Sequence, residues 1–90
     1  MRVRVPTHLH DYTRGVAEVE VACATERATL GDVLAELERA YPGLRFRVVD
    51  EQDRIRRHIQ FFVGSKAARD LAHPVDADDE VRIVAALSGG

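Results

Sequence analysis

The chain has 90 residues, 46% of them apolar and 31% charged, with a formal charge of −2. This balance predicts one globular domain with a single modest core. It argues against a general nucleic-acid or membrane-surface binder, which needs an excess of basic charge.

Arginine supplies nearly all the cations, since Lys66 is the only lysine. One cysteine, Cys23, cannot form an internal disulfide, and no apolar leader opens the chain. The expectation is a reducing, cytoplasmic setting. No run approaches the ~18 apolar residues that a membrane span needs.

In chain order, Met1–Val5 alternates, with Val3 and Val5 on one face and Arg2 and Arg4 on the other, until Pro6 ends the strand. A polar loop covers Thr7–Gly15. Ala17, Val19 and Val21 then alternate with Glu18 and Glu20. The two strands are expected to pair as an antiparallel hairpin, which sets arginine against glutamate across the strands.

Thr29 reads as a helix N-cap, with Asp32 three residues on. Leu30, Val33, Leu34, Leu37 and Tyr41 form one apolar stripe, and Pro42-Gly43 stops the helix. Leu44, Phe46 and Val48 alternate with Arg45 and Arg47, which predicts a short strand or an extended cover over the core.

Arg57–Val63 reads as a strand with Ile59, Phe61 and Val63 inward and Phe62 outward. Gly64-Ser65 is a turn, and Ala67–Leu71 is expected as a short edge strand. His73–Glu80 is an acidic connector. Val81–Ala86 is the last strand, rich in β-branched residues that suit a central position. One helix must cover one face of this mixed sheet.

The chain closes on Leu87-Ser88-Gly89-Gly90. A strand delivers this tail from a rigid body, and its small residues leave little to obstruct entry into a narrow channel. A frayed end is the ordinary alternative. The expected organisation is a domain over residues 1–86 followed by a tail over residues 87–90.

Three elements carry the resemblance to a family: Thr29-Leu30-Gly31-Asp32-Val33-Leu34, Tyr41-Pro42-Gly43-Leu44, and Asp79-Glu80-Val81 leading to Ser88-Gly89-Gly90. Together with the order of elements they resemble the ubiquitin-like sulfur carriers of the ThiS/MoaD type over nearly the whole chain. The resemblance implies an α+β, β-grasp fold with four to five strands on one main helix, the last strand central and parallel to the first.

It also implies that the chain is a carrier and not an enzyme. Gly90 would be adenylated by an ATP-dependent activating enzyme and converted to a thiocarboxylate, whose sulfur passes to a synthase or large subunit. ATP and Mg would be used by that partner, with no cofactor bound by this chain. The branches are the small subunit of molybdopterin synthase and a free carrier for cysteine or other sulfur metabolites. A ubiquitin-like modifier joined through Gly90 to target lysines is the alternative, and an inert-tailed binding module is a third class.

Family members often have glycine where this chain has Asp78, a residue that tolerates the left-handed conformation. Many have a proline before the tail, where Ala85-Ala86 stands, and an asparagine near Gly64.

Phe62 and Val84 should share the sheet face opposite the helix, with Leu87 following, and exposed apolar clusters mark interaction sites. Gly89, Ser88, Leu87, Val84 and Phe62 are therefore the expected partner-binding residues. A one-residue slip would exchange the faces, and the Leu44–Val49 segment offers another way to bury Phe62.

Arg54, Arg56, Arg57 and His58 form a basic cluster, read first as a solvated loop, with an acidic partner as the alternative. His8 and His10 lack the further ligands a zinc site requires, so no metal is expected. Cys23 has no base beside it in the sequence.

Overall fold

The computed structural model describes residues 1–22 and 27–85. Alternation produces the expected hairpin. Strand β1 (Arg2–Arg4) pairs antiparallel with β2 (Glu18–Glu20), setting Arg2 opposite Glu20 and Arg4 opposite Glu18. The Val5 N–H donates to the Ala17 carbonyl at 2.8 Å and extends the ladder. Ala17 itself is exposed, not inward as expected, because the regular strand starts only at Glu18.

Within the connecting loop, a 3-10 turn (Thr7–Leu9) buries Leu9. Thr13 is buried too, and its hydroxyl donates to the Val16 carbonyl at 2.7 Å. That bond satisfies a polar group that would be costly to leave unpaired.

Strand β3 (Ala28–Thr29) leads into helix α1 (Leu30–Ala40). The Asp32 N–H donates to the Thr29 hydroxyl at 3.3 Å, and the Thr29 N–H donates to the Asp32 carboxylate at 2.9 Å. This reciprocal box satisfies two N–H groups that the first turn leaves over. Leu30, Val33, Leu34 and Leu37 are buried, and Tyr41 packs partly against the core.

Gly43, at φ 96°, turns the chain. The Glu38 carboxylate then accepts from the Gly43 and Arg45 N–H groups at 2.8 and 3.0 Å.

Those two bonds open a second helix, α2 (Leu44–Val48), where the alternation had predicted a strand or extended cover. Over five residues, apolar side chains at i and i+4 satisfy a helix as well as a strand. The left-handed Gly43 and the Glu38 staple decide for the helix. Leu44 and Val48 face inward, and Phe46 is 52% exposed.

Strand β4 (Ile59–Val63) is two residues shorter than expected and turns at Gly64 (φ 61°) into β5 (Lys66–Ala68). Strand β6 (Pro74–Val75), inside the expected connector, pairs with β3 as a separate two-stranded sheet. The last strand, β7 (Glu80–Ala85), completes a five-stranded sheet in the order β2-β1-β7-β4-β5. β7 is parallel to β1 and antiparallel to β4, so it is held on both edges.

Val3, Val19, Ile59, Phe61, Val63, Val81 and Ile83 form one core with the stripe of α1. Among the described residues the only non-glycine residues with positive φ are Arg14 and Asp53. The turn before β7 therefore runs through Asp78 without the left-handed conformation. No helix among the described residues is long and apolar enough to cross a membrane.

Candidate functional site

The candidate site is the outer face of the sheet towards the carboxyl end of β7. The pleat of β4 sends Ile59, Phe61 and Val63 into the core and leaves Gln60 and Phe62 on the opposite face. In β7 the same alternation buries Val81 and Ile83 and exposes Arg82 and Val84.

The register sets Phe62 opposite Arg82 and Gln60 opposite Val84. Phe62 and Val84 are thus diagonal neighbours on one face, a spacing within reach of an aromatic ring. The expected register holds. Val84 is 38% exposed, while Phe62 is half-buried. The Arg82 guanidinium lies 5.1 Å from the Phe62 ring centroid. Arg82 is the residue that sequence reasoning missed, although its place opposite Phe62 follows once the register is known.

Charge divides along this face. At the β1–β2 edge, Arg4 lies 3.3 Å and Arg2 3.7 Å from Glu18. Where β7 begins, Glu20, Asp78, Asp79 and Glu80 outnumber Arg2 and the Met1 ammonium in a shallow groove that is acidic on balance. Where β7 ends, the groove is basic, of about 410 Å³, lined by Arg56, Arg57, His58, Gln60, Arg69 and Val84 among others.

Arg56 is oriented in two ways. Its Nε donates to the Phe46 carbonyl at 2.8 Å, and its guanidinium lies 4.8 Å from the Phe46 ring centroid. Arg54, counted with this cluster from the sequence, instead sits in the turn before it. There the Arg54 and Gln52 N–H groups both donate to Asp50 Oδ1 at 2.9 Å. The Arg54 backbone bond, with the Gln52 bond behind it, holds the Asp50 carboxyl below its ordinary value.

The two loop histidines separate. His10 Nε2 donates to the Val5 carbonyl at 3.0 Å, while His8 lines a second groove with Phe46, Arg47, Arg56 and His58. Among the described residues, no group of three or more His, Cys, Asp or Glu side chains is placed to hold a metal. Cys23 and the tail residues Leu87, Ser88, Gly89 and Gly90 lie outside the described residues, as does the domain boundary after residue 86.

The ThiS family model matches residues 3–90. The sulfur carrier protein CysO of Mycobacterium tuberculosis (strain ATCC 25618 / H37Rv) is 30% identical over 93 aligned positions, covering 98% of this chain and 96% of CysO. A chain in the crystal structure of the Amycolatopsis orientalis BexX/CysO complex superposes with a TM-score of 0.88. It has 28% identity and covers 99% of this chain and 98% of its own. SAMP1 from Haloferax volcanii superposes with a TM-score of 0.82 at 29% identity, covering 99% of this chain and 97% of its own.

Proposed function

The chain belongs to the ThiS family, and on that premise we propose that it is a sulfur carrier working through a thiocarboxylate on Gly90. The observation that carries this reading is the family match running through Ser88-Gly89-Gly90, which follows in sequence, after Ala86 and Leu87, a central strand held on both edges.

A carboxylate is a poor electrophile. Attack of the Gly90 carboxylate on the α-phosphate of ATP releases pyrophosphate and leaves an acyl adenylate. A sulfur nucleophile then displaces AMP, and the resulting thiocarboxylate donates its sulfur to an acceptor. ATP and Mg belong to the activating partner. This chain contributes the acyl group and a docking surface, and carries no catalytic machinery of its own.

In this reading residues 1–86 are the body and residues 87–90 the tail that enters the partner. Gly89 and Ser88 allow close approach, and Leu87 continues the apolar surface of Val84 and Phe62. The setting is the cytoplasm. The likeness to CysO proteins favours a free carrier for cysteine or another sulfur metabolite over the small subunit of molybdopterin synthase.

A second reading has one observation in its favour, the likeness to SAMP1, a small archaeal modifier protein. There the activated Gly90 would form an isopeptide bond with a target lysine.

Intact-mass measurement after incubation with the activating enzyme, Mg-ATP and a sulfide source tests both. The carrier reading expects one oxygen replaced by sulfur at Gly90, dependent on ATP and lost in Gly90→Ala. An adenylate that forms without ever taking sulfur, together with lysine conjugates in cell extract, would favour the modifier. No change with a demonstrably active enzyme would overturn both.

A further inference from the structure

We propose that the basic groove at the carboxyl end of β7 docks an acidic segment of the protein that holds the tail. The chain is acidic overall, with 15 Asp and Glu residues against 13 Lys and Arg. Yet Arg56, Arg57 and Arg69 line this groove with no carboxylate among its lining residues. The adjoining groove shares Arg56 and His58 and adds Arg47 and His8, again without an acid.

Five other surface arginines are treated differently, whereas Arg14, Arg47 and Arg82, scattered over the fold, also stand outside ion-pairing distance of any carboxylate among the described residues. Arg2, Arg4, Arg39, Arg45 and Arg54 each lie within ion-pairing distance of a carboxylate. Among the described residues, Arg56, Arg57 and Arg69 form no such pair. Like charges gathered with no carboxylate in ion-pairing distance repel one another, and the arrangement gains when a partner supplies the acid.

Two further features point to a docking site and not a solvated loop. Arg56 is held in place by the Phe46 carbonyl and ring, so less side-chain freedom is lost when it binds. Exposed apolar groups flank the cations, Phe46 on one side and Val84 on the other. An apolar contact ringed by charge is the usual composition of a protein interface.

The groove also meets β7 at its last residues, where Ala85 pairs with Ile59. A partner engaged with the residues that follow would lie over it. An acidic segment fits better than a nucleic acid, because the acidic groove at the start of β7 would repel a long phosphate backbone along this face. The proposal rests on the carrier reading only for the identity of the partner.

The test uses the full chain, labelled with ¹⁵N, titrated with a hexaglutamate peptide. Amide shifts are expected to concentrate at residues 55–60, 69 and 84 and to fade as salt approaches about 0.5 M, where screening is nearly complete. An Arg57→Glu/Arg69→Glu variant should bind at least about tenfold more weakly.

Shifts spread equally over Arg2 and Arg4, no shifts at millimolar peptide, or tighter binding of an oligothymidylate at the same amides would each overturn the proposal. The wild-type map decides even where the variant fails to fold. The Gly90 mass measurement is read separately, so failure of the groove and failure of the carrier chemistry remain distinct.

Discussion

The Arg82 guanidinium covers Phe62 from the opposite strand, 5.1 Å from the ring centroid. The contact joins a cation to the apolar residue of the expected docking face, so that face presents an arginine-capped aromatic beside exposed Val84. Both Trp/Tyr-like rings and arginines are common anchors of interfaces. If this face docks the activating enzyme, Phe62→Ala should weaken binding about tenfold or more, in the range of an interface hot spot. Isothermal titration against that enzyme measures it, with the thermal midpoint as control. Unchanged affinity would remove Phe62 from the interface.

Phe61, the neighbour on the other face, has no exposure and sits between the strands and α1. Phe61→Ala should cost about 3–5 kcal/mol in urea unfolding, from lost burial plus the cavity left behind. The contrast between two adjacent phenylalanines tests the register directly. A larger stability loss for Phe62→Ala than for Phe61→Ala would contradict it.

Thr29 both caps α1 and belongs to the small β3–β6 sheet. Thr29→Ala removes the hydroxyl that accepts from Asp32 and should cost about 1 kcal/mol. Thr29→Ser keeps that oxygen and should retain most of the stability. Equal losses for the two variants would assign the effect to the strand pairing and not to the cap.

Asp50 gives a pH dependence with a defined sign. Its folded-state value lies below the ordinary one, chiefly through the Arg54 backbone N–H. The stabilisation is therefore present above the unfolded-state value and is lost as pH falls through the folded-state value. NMR titration of the Asp50 side-chain carbon should give a midpoint below that of an unfolded reference peptide. Asp50→Asn should flatten the acid limb of the stability–pH curve. A midpoint at or above the reference would refute the assignment.

Local pattern alone was enough to read the first hairpin, helix α1 and its cap, and the inward and outward faces of β4 and β7. Each of these rests on periodicity or on contacts a few residues apart, which the order of residues carries directly. The Ser88-Gly89-Gly90 ending and its neighbours were likewise readable as a family resemblance, which the match over residues 3–90 bears out.

Helix α2, the β3–β6 pairing and the positions of Arg82 and Arg56 were not readable in this way. The five residues Leu44–Val48 fit two periods equally well, and a carboxylate from α1 resolved them. β6 exists because β3 offers an edge 45 or more positions earlier in the chain. The basic groove gathers cations from α2's neighbourhood, the β4 approach and the end of β5, and keeps acids at the far end of β7. Charge and periodicity are written along the chain, but which side chains share one surface depends on strand order and register, and these were set by burying a common core.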